Sequence, residues 1–596
     1  MRIDQLLAGY RENRMRPSDV VKGIIERIKA HDSHSIWISR TPDDDIKTRA
    51  RTLEDKSSKD LPLYGIPFAI KDNFDATPLA TTAGCPEYSY RPSTSATVVT
   101  NLLDAGAILI GKTNMDQFAT GLVGTRSPYG ACRNAFDPDF ISGGSSSGSA
   151  VATALGQVSF ALGTDTAGSG RVPAAFNNIV GLKPTRGLIS TRGIVPACQS
   201  IDCVSIFSLS ATDALTVLDI CATYDADDPF SRDIRNRVIR TPKVNPKTFT
   251  YGIPNPDQLV FFGNSDFEKL FHEMEDSLTA LGGEKLHIDL SPFLEVAKLL
   301  YDGPWVAERY SAIKDFIERS PNSLLPTTRE IIEGGRSITA SELFTGQKRL
   351  RALAQQCEIV WKNIDILVTP TAGTIYQIAD VDSDPIRLNT NLGYYTNFVN
   401  LLDYSAVAVP AGFTSNGLPF GVTLVGPAYK DQSLLHMANL VHDTSRLSSG
   451  KYEKPFSINR LNDEDSAGEF VQISVCGAHM SGLPLNYQLT ELGAQFIRSC
   501  TTAPLYRFYA LPGGPPERPG LVRQTPGARI QVEIWEIPVS KFGGFVCGIP
   551  APLGIGQVSL SDGTKVLGFL CEFYAVSNAR DITDLGDWRS YIKAEA

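Results

Sequence analysis

Residues 142–171 read SGGSSSGSAVATALGQVSFALGTDTAGSGR, and this stretch decides the fold and the chemistry of the chain. Two runs rich in glycine and serine, 142–150 and 163–171, enclose an apolar segment. That segment predicts a helix of small residues over 147–156, followed by a short strand that begins at Phe160. Helix and strand patterns lie within a few residues of both runs, so a flexible linker is excluded, and we predict two structured loops.

The segments around this stretch predict an α/β fold. Residues 62–70 form an apolar strand that leads into Lys71, and later apolar strands begin at Ile366 and Ala406. Strands that are continuously apolar are typical of a sheet that is covered on both faces. Strand and helix patterns alternate to about residue 440, so we expect one large unit up to that point.

The character of the sequence changes after residue 448. Residues 449–468 are polar and charged without an apolar period, which predicts a linker between a domain at 1–448 and a second domain at 469–596. The second domain has short strands and a loop rich in glycine and proline at 511–520. Its length lies within the usual range for an independent domain.

The overall composition excludes several classes of protein. The 596 residues carry a net charge of −9, with 42% hydrophobic and 20% charged residues, which is typical of a globular protein and argues against nucleic acid or membrane partners. Residues 140–164 are uncharged, but their first half is serine and glycine, so we interpret them as buried core. Ten cysteines without C-x-x-C spacing and an N-terminus without an apolar signal sequence predict a cytoplasmic protein with reduced thiols.

The glycines and serines of 142–171 fit two chemistries. A phosphate-binding loop would need a lysine after the glycines or a G-x-G-x-x-G pattern, and neither is present. The second possible chemistry is that of a nucleophilic serine, with backbone N–H groups that donate hydrogen bonds to an oxyanion. None of the seven histidines lies in a context typical of a Ser-His-Asp site, so Lys71 is the candidate base. Burial would give it the lowered pKa that a base requires, although Lys71 taken by itself is better interpreted as an exposed lysine at a strand end.

Six segments occur in the order found in the amidase signature family, which the chain resembles over about residues 1–445. They are 65–73, 111–115, 143–149, 163–171, 181–187 and 417–421. Departures are small: Ser147 stands where the family usually has glycine, and 167–170 replaces the commoner Gly-Gly-Ser-Ile/Val. The resemblance implies an amidase-signature fold, a large mixed twisted sheet flanked by helices, with a small α+β domain at the C-terminus.

The resemblance also implies a Ser-cisSer-Lys triad. Ser169 would be the nucleophile that forms an acyl-enzyme, Ser145 the bridging serine that follows a cis peptide bond in the family, and Lys71 the base. The backbone N–H groups that would form the oxyanion hole are those of Thr166, Ala167, Gly168 and Ser169.

Four further segments resemble the variants found in allophanate hydrolases: 124–130, 200–207, 227–232 and 301–309. By this resemblance Arg309 would bind the carboxylate of the substrate, Tyr301 would orient it, and Gly124 would border a small pocket. A planar carboxylate suits the fork of an arginine side chain. From its sequence position alone, Arg309 could also be a solvated helix residue that pairs with Glu308 or Asp315.

The C-terminal domain resembles the extra domain of allophanate hydrolases in segments 475–486, 506–513 and 516–520. That domain is similar to γ-glutamylcyclotransferase folds and is implicated in processing N-carboxycarbamate. His479 would be catalytic there, with Glu572 as a weaker candidate. His479 could instead only cap a turn.

Taken together, the resemblance implies an amidohydrolase that converts allophanate to ammonia and CO₂ through N-carboxycarbamate, the last step of ATP-dependent urea degradation. It implies no metal and no organic cofactor. We expect a functional link to a biotin-dependent urea carboxylase on a separate chain, because no biotinyl or ATP-binding segment is present, and we expect a homodimer. The alternative is a general amidase or a glutamine-dependent amidotransferase subunit, whose C-terminal domain serves only oligomerisation or partner docking.

Overall fold

The structure, a computed structural model, describes residues 1–56, 61–233, 249–445, 447–451 and 470–595. Within these ranges the chain forms two compact units, residues 1–232 with 249–451 and residues 470–595. The linker expected at 449–468 lies outside the described residues except for 449–451.

The first unit is built on one mixed sheet of eleven strands among its described residues. The strands are β1 (Trp37–Arg40), β2 (Pro67–Lys71), β3 (Ile108–Thr113), β4 (Phe160–Asp165), β5 (Val180–Lys183), β6 (Cys203–Ser208), β7 (Phe249–Pro254), β8 (Gly283–Ile288), β9 (Ile366–Pro370), β10 (Ser405–Phe413) and β11 (Pro419–Gly426).

The order of the strands across the sheet is β1-β3-β2-β4-β6-β5-β10-β11-β9-β7-β8. Parallel pairing joins β2 to β3 and β4, and also joins β7 to β8 and β9. Strands β2, β4 and β6 are buried at every residue, whereas the edge strands β1 and β8 are partly exposed. The predicted α/β class and the coverage of the sheet on both faces are confirmed.

Helices cover this sheet. They are α1 (Ile3–Arg11), α2 (Pro17–Ala30), α3 (Asp43–Glu54), α4 (Thr97–Asp104), α5 (Ser147–Ala154), α6 (Val172–Phe176), α7 (Ala211–Cys221), α8 (Ser265–Ala280), α9 (Ser291–Asp302), α10 (Trp305–Ala312), α11 (Lys314–Arg319), α12 (Pro326–Glu333), α13 (Ala340–Cys357), α14 (Ile378–Ser383), α15 (Arg387–Leu392), α16 (Phe398–Leu401) and α17 (Asp431–Ser445).

The uncharged stretch lies in the interior of this unit. Residues 141–164 are all buried and include α5 and most of β4. Small side chains let α5 approach the neighbouring strands closely: a Cβ added to Gly148 would lie 2.7 Å from Asn114 N. Across the described ranges, no helix has the length and apolar character needed to cross a membrane.

The second unit has a five-stranded sheet in the order β13-β16-β12-β18-β17 and a three-stranded sheet in the order β15-β14-β19. Its elements are β12 (Phe470–Val475), α18 (Asn486–Glu491), β13 (Gln495–Thr501), β14 (Tyr506–Leu511), β15 (Arg518–Arg523), β16 (Gln531–Pro538), α19 (Val539–Cys547), β17 (Leu553–Ser559), β18 (Lys565–Cys571), β19 (Arg580–Asp581) and α20 (Trp588–Glu595). Its own core includes Ile473, Val532, Ile534 and Trp588, so it is a separately packed α+β unit.

Candidate active site

Lys71 is the last residue of β2, in the middle of the large sheet. Its side chain is fully buried, and Nζ donates hydrogen bonds to Ser145 Oγ (2.8 Å) and Thr164 Oγ1 (2.8 Å). Burial lowers the pKa of Lys71 to about 7, and the carboxylate of Asp116 is the largest influence that opposes this shift. Lys71 is therefore not an exposed lysine at a strand end, and near neutral pH a large fraction of its amine is uncharged.

Ser145 lies just before α5, and the Gly144–Ser145 peptide bond is cis. Its Oγ is 3.0 Å from Ser169 Oγ, and both serines are buried, at 0% and 3% exposed. The three residues predicted to form the triad therefore make one continuous hydrogen-bonded chain from Lys71 to Ser169. When Lys71 is neutral, this geometry allows a proton to pass from Ser169 to Ser145 and from Ser145 to the amine.

An ion pair holds the loop that carries Ser169 between β4 and α6. Arg171 binds Asp165 through Nε (2.9 Å to Oδ2) and Nη2 (3.0 Å to Oδ1), and both side chains are fully buried. Burial acts to raise the pKa of Asp165, but the guanidinium of Arg171 holds this pKa below its usual value. The amide of Asn400 adds a hydrogen bond to the carbonyl of Asp165 (2.6 Å). These residues fix the loop through their own contacts, so the hydroxyl of Ser169 is available for its hydrogen bond with Ser145.

The backbone donors expected for the oxyanion hole differ in their availability. The N–H of Gly168 donates to Asp165 Oδ1 (2.9 Å), so it is already engaged. Within the described ranges, the N–H groups of Thr166, Ala167 and Ser169 have no hydrogen-bond partner. We therefore remove Gly168 from the set of donors. Its role is conformational, because its φ is +133° and an added Cβ would clash with Thr396 Oγ1.

Two buried carboxylates near the triad were missed by sequence reasoning, and Asp116 is the first. It accepts hydrogen bonds from the N–H groups of Val123 (3.2 Å), Gly124 (3.0 Å) and Arg126 (2.9 Å), while its own N–H donates to the carbonyl of Ser145 (3.1 Å). Asp116 thus ties the 123–126 loop to the peptide of Ser145. Its position shortly after the buried strand β3 was the only signal in the sequence.

Asp202 is the second buried carboxylate that sequence reasoning missed. It accepts hydrogen bonds from Thr166 Oγ1 (2.5 Å) and from the N–H groups of Ala197 (2.8 Å) and Cys198 (3.2 Å). Burial raises the pKa of Asp202 to about 6. Through Thr166 this carboxylate fixes the first residue of the predicted oxyanion hole; the resembling segment 200–207 contains Asp202, and that was its only signal in the sequence.

The residues predicted to bind a carboxylate come together at α9 and α10. Arg309 is 2% exposed, its Cζ lies 5.5 Å from the centre of the Tyr301 ring, and Nη1 donates to the carbonyl of Ala119 (3.3 Å) and to Thr120 Oγ1 (3.2 Å). Nε is buried without a hydrogen-bond partner. Within the described ranges Arg309 pairs with no carboxylate, so its alternative interpretation as a solvated helix residue is wrong.

Beside Tyr301 lies a cavity of about 670 Å³, and Arg126 also lines it. Arg126 is 5% exposed and donates from Nη1 to the carbonyl of Thr120 (3.0 Å), whose hydroxyl accepts the bond from Arg309. Two buried guanidinium groups thus share Thr120; of the two, only Arg126 lines the cavity, where Lys298 and Asp302 are the other charged residues. Gly124 has φ +78°, and a Cβ there would lie 2.7 Å from the carbonyl of Gly143, so this position borders the loop of Ser145.

In the second unit, His479 follows β12 and lines a cavity of about 480 Å³. It is partly buried; Nε2 lies 2.9 Å from Gln488 Oε1, and the ring stacks on Phe569 with centroids 5.1 Å apart. Burial lowers the pKa of His479 below its usual value. Glu572, the weaker candidate, is exposed and does not line this cavity; Glu491 does.

No group of three or more His, Cys, Asp or Glu side chains in the described part of the chain has the arrangement of a metal site. The described residues bring a lysine and two serines together in one unit and place a histidine in a cavity of the other.

Two family models match the chain. The model described as "Amidase" matches residues 19–435, and the one described as "Allophanate hydrolase C-terminal domain" matches residues 471–593.

Individual relatives match one or both parts. The urea amidolyase of Saccharomyces cerevisiae is 41% identical over 577 residues, which are 94% of this chain and 31% of that protein. The chain thus spans about a third of the length of this curated relative. A glutamyl-tRNA(Gln) amidotransferase protein of Streptococcus thermophilus is 33% identical over 450 residues, 71% of this chain and 91% of its own. The crystal structure of Kluyveromyces lactis allophanate hydrolase is similar over 100% of this chain and 99% of that chain, with 39% identity and a TM-score of 0.74.

Proposed function

Because the chain belongs to the amidase family and is an amidohydrolase with an allophanate hydrolase C-terminal domain, we propose that it hydrolyses allophanate to ammonia and CO₂. The observation that carries this proposal is the hydrogen-bonded chain Lys71–Ser145–Ser169, together with the buried guanidinium of Arg309, which makes no ion pair with a carboxylate in the described ranges. A nucleophile next to a site for an anion is what hydrolysis of an amide that bears a carboxylate requires.

In the first step, Ser169 attacks the terminal amide carbonyl of allophanate. Its proton passes to Ser145 while Ser145 gives its own proton to neutral Lys71. The oxyanion accepts hydrogen bonds from the free N–H groups of residues 166, 167 and 169, each of which contributes about 3 kcal/mol. The C–N bond then breaks, and the relay returns a proton to the leaving ammonia.

The acyl-enzyme is next hydrolysed. Water, deprotonated through the same relay, attacks the acyl carbon, the ester bond to Ser169 breaks, and N-carboxycarbamate leaves. In this scheme Arg309 binds the distant carboxylate of the substrate and Tyr301 orients it. Gly124 leaves room for a small substrate because a side chain at that position would meet the loop of Ser145.

The second unit, in our proposal, promotes the loss of CO₂ from N-carboxycarbamate. The C–N bond to one carboxylate breaks, its electron pair stays on nitrogen, and nitrogen takes up a proton. The resulting carbamate decomposes to ammonia and CO₂. His479 is the candidate for managing this proton, because it lines the cavity of the unit and Gln488 fixes its ring.

The alternative of a general amidase or amidotransferase subunit has less support. The glutamyl-tRNA(Gln) amidotransferase relatives match 71% of the chain, and this leaves the second unit unexplained. The second unit instead matches a model named for allophanate hydrolases.

We place the reaction after the carboxylation of urea by a biotin-dependent urea carboxylase, because the relatives in Saccharomyces cerevisiae and Lachancea kluyveri are urea amidolyases. A cytoplasmic site fits the ten cysteines, none of which forms a disulfide. The homodimer stays a prediction, which sedimentation of the full chain tests.

The direct test is an ammonia assay with allophanate on the full chain and its Ser169→Ala variant. We expect the variant to fold normally and to lose at least about 10⁴-fold in kcat, because no other group can form the acyl-enzyme. Ser149→Ala is a matched control: this serine is also buried but bonds to the carbonyl of Leu162. Turnover of the Ser169→Ala variant near that of the wild type would contradict the assignment.

A further inference from the structure

The segment 516–520, with the sequence PERPG, has no role in the chemistry of the first unit, yet it forms one wall of the cavity beside His479. Arg518 is the first residue of β15, where its backbone pairs with Leu511 of β14. Pro516, Arg518 and Pro519 all line the cavity. A Cβ added to Gly477 would lie 2.5 Å from Pro519 Cγ, so the segment packs directly on the loop that leads to His479.

Arg518 is the arginine of the cavity lining, and it has no counter-charge among residues 470–595. Ion pairs to carboxylates occupy Arg498, Arg507, Arg580 and Arg589. Arg518 is partly buried at the cavity wall, and among residues 470–595 its guanidinium has neither a hydrogen-bond acceptor nor a carboxylate partner. The other charged residue of the lining, Glu491, is exposed, so water screens its charge.

The rest of the lining is mostly apolar. Leu485, Phe545, Ile549, Leu553 and Phe569 surround the space next to His479. A cavity of about 480 Å³ with one unpaired guanidinium and one imidazole has the form of a site for a small anion. An apolar wall disfavours a carboxylate more than it disfavours neutral CO₂, so a carboxylate placed against that wall is favoured to leave.

We propose that Arg518 binds one carboxylate of a small dicarboxylate in this cavity and holds the second carboxylate against the apolar wall beside His479. The inference rests on the proposed function, in which the dicarboxylate is N-carboxycarbamate. Arg518 then selects which carboxylate remains as carbamate, because the bound one is stabilised by charge-assisted hydrogen bonds. The C–N bond to the other carboxylate breaks, its electron pair stays on nitrogen, and nitrogen takes up a proton that His479 relays from water.

The test measures binding of malonate, the stable dicarboxylate in which carbon replaces the central nitrogen. The full chain carries Arg309→Ala, which removes the carboxylate site proposed for the first unit, and calorimetry gives the Kd with and without Arg518→Met. We expect Arg518→Met to raise the Kd at least about tenfold, in line with the loss of a charged hydrogen bond. The matched control is Arg523→Met, because Arg523 lies on the same strand, is exposed and does not line the cavity.

The outcomes separate this inference from the proposed function. Equal Kd values in the Arg518→Met and Arg523→Met variants, or no binding of malonate, overturn the role of Arg518 while allophanate turnover by the wild type still supports the proposed function. If the wild type releases no ammonia from allophanate but malonate binding depends on Arg518, the anion site stands and the proposed function fails.

Discussion

The two units hold their candidate reactive groups in opposite ways. In the first, Lys71, Ser145 and Ser169 are at most 3% exposed and bond to one another. In the second, His479 is partly buried and Arg518 has no partner in the described part of its unit. The difference agrees with the chemistry we propose for the two units: activating a serine requires an amine held neutral by burial, whereas loss of CO₂ from a formed intermediate requires binding and a proton.

The variants Lys71→Met and His479→Ala of the full chain test this difference between the two units most directly. We expect Lys71→Met to slow the first release of ammonia at least about 10³-fold, because it removes the base for Ser169. His479→Ala should leave this step unchanged and slow the decay of N-carboxycarbamate. Rapid-quench ammonia assays give the first rate, and NMR with carbon-13 allophanate follows the intermediate.

Lys314→Met is the control for the lysine variant, because Lys314 is an exposed residue of the same unit. A slower first ammonia release in a folded His479→Ala variant contradicts the division of labour between the units. Unchanged kinetics of both steps in that variant would leave the second unit without the catalytic group we assign to it.

Recognition of the carboxylate by the first unit is expected to have the next largest effect. Arg309→Ala should raise the KM for allophanate about 10- to 100-fold, because each charged hydrogen bond is worth about 1.5–3 kcal/mol. The KM for malonamide, which has the same amide but no carboxylate, should change much less. Steady-state ammonia assays measure both values.

Arg319→Ala supplies the comparison, since Arg319 is an exposed arginine at the end of the next helix. An equal rise in KM for allophanate and malonamide argues that Arg309 only supports the packing of α10. Retention of a low KM for allophanate in the folded variant removes Arg309 from substrate binding altogether.

The resemblance predicted that Lys71, Ser145 and Ser169 act together, because they lie in segments that follow the order of the amidase signature family; the structure brings the three side chains into one hydrogen-bonded chain, and their catalytic roles stay a prediction. The sequence could not predict Asp116 or Asp202, because these carboxylates act by accepting hydrogen bonds from backbone N–H groups, and any residue supplies an N–H. The hydrogen bond from the Gly168 N–H to Asp165 could not be predicted for the same reason. These contacts depend on how the loops fold over β4, which no local pattern encodes.

The same limit appears in α2 (Pro17–Ala30), whose apolar spacing indicates its buried face but does not mark its first residue. The N-cap is Arg16, and Pro17 occupies the first helical position, where its fixed φ fits and its missing N–H costs nothing. Val21, Ile24, Ile25 and Ile28, which recur every three or four residues, are buried, while Val20 is partly exposed. Periodicity is therefore more informative about the buried face than about the residue that begins the helix.

The pH dependence of the first ammonia release is the smallest of the expected effects. It also distinguishes a titrating group in the first unit from one in the second. Burial lowers the pKa of Lys71 to about 7, so the amine gains a proton as the pH falls through 7, and only its neutral form can act as base. We expect kcat/KM for the first ammonia release to fall about tenfold per pH unit below 7 and to be level above it. His479 lies in the other unit, so His479→Ala should leave this limb unmoved. A limb that shifts in His479→Ala, or that falls near pH 10 as for an ordinary lysine, contradicts the neutral amine at Lys71; a limb that Asp202→Asn removes would instead assign it to Asp202, whose pKa burial raises.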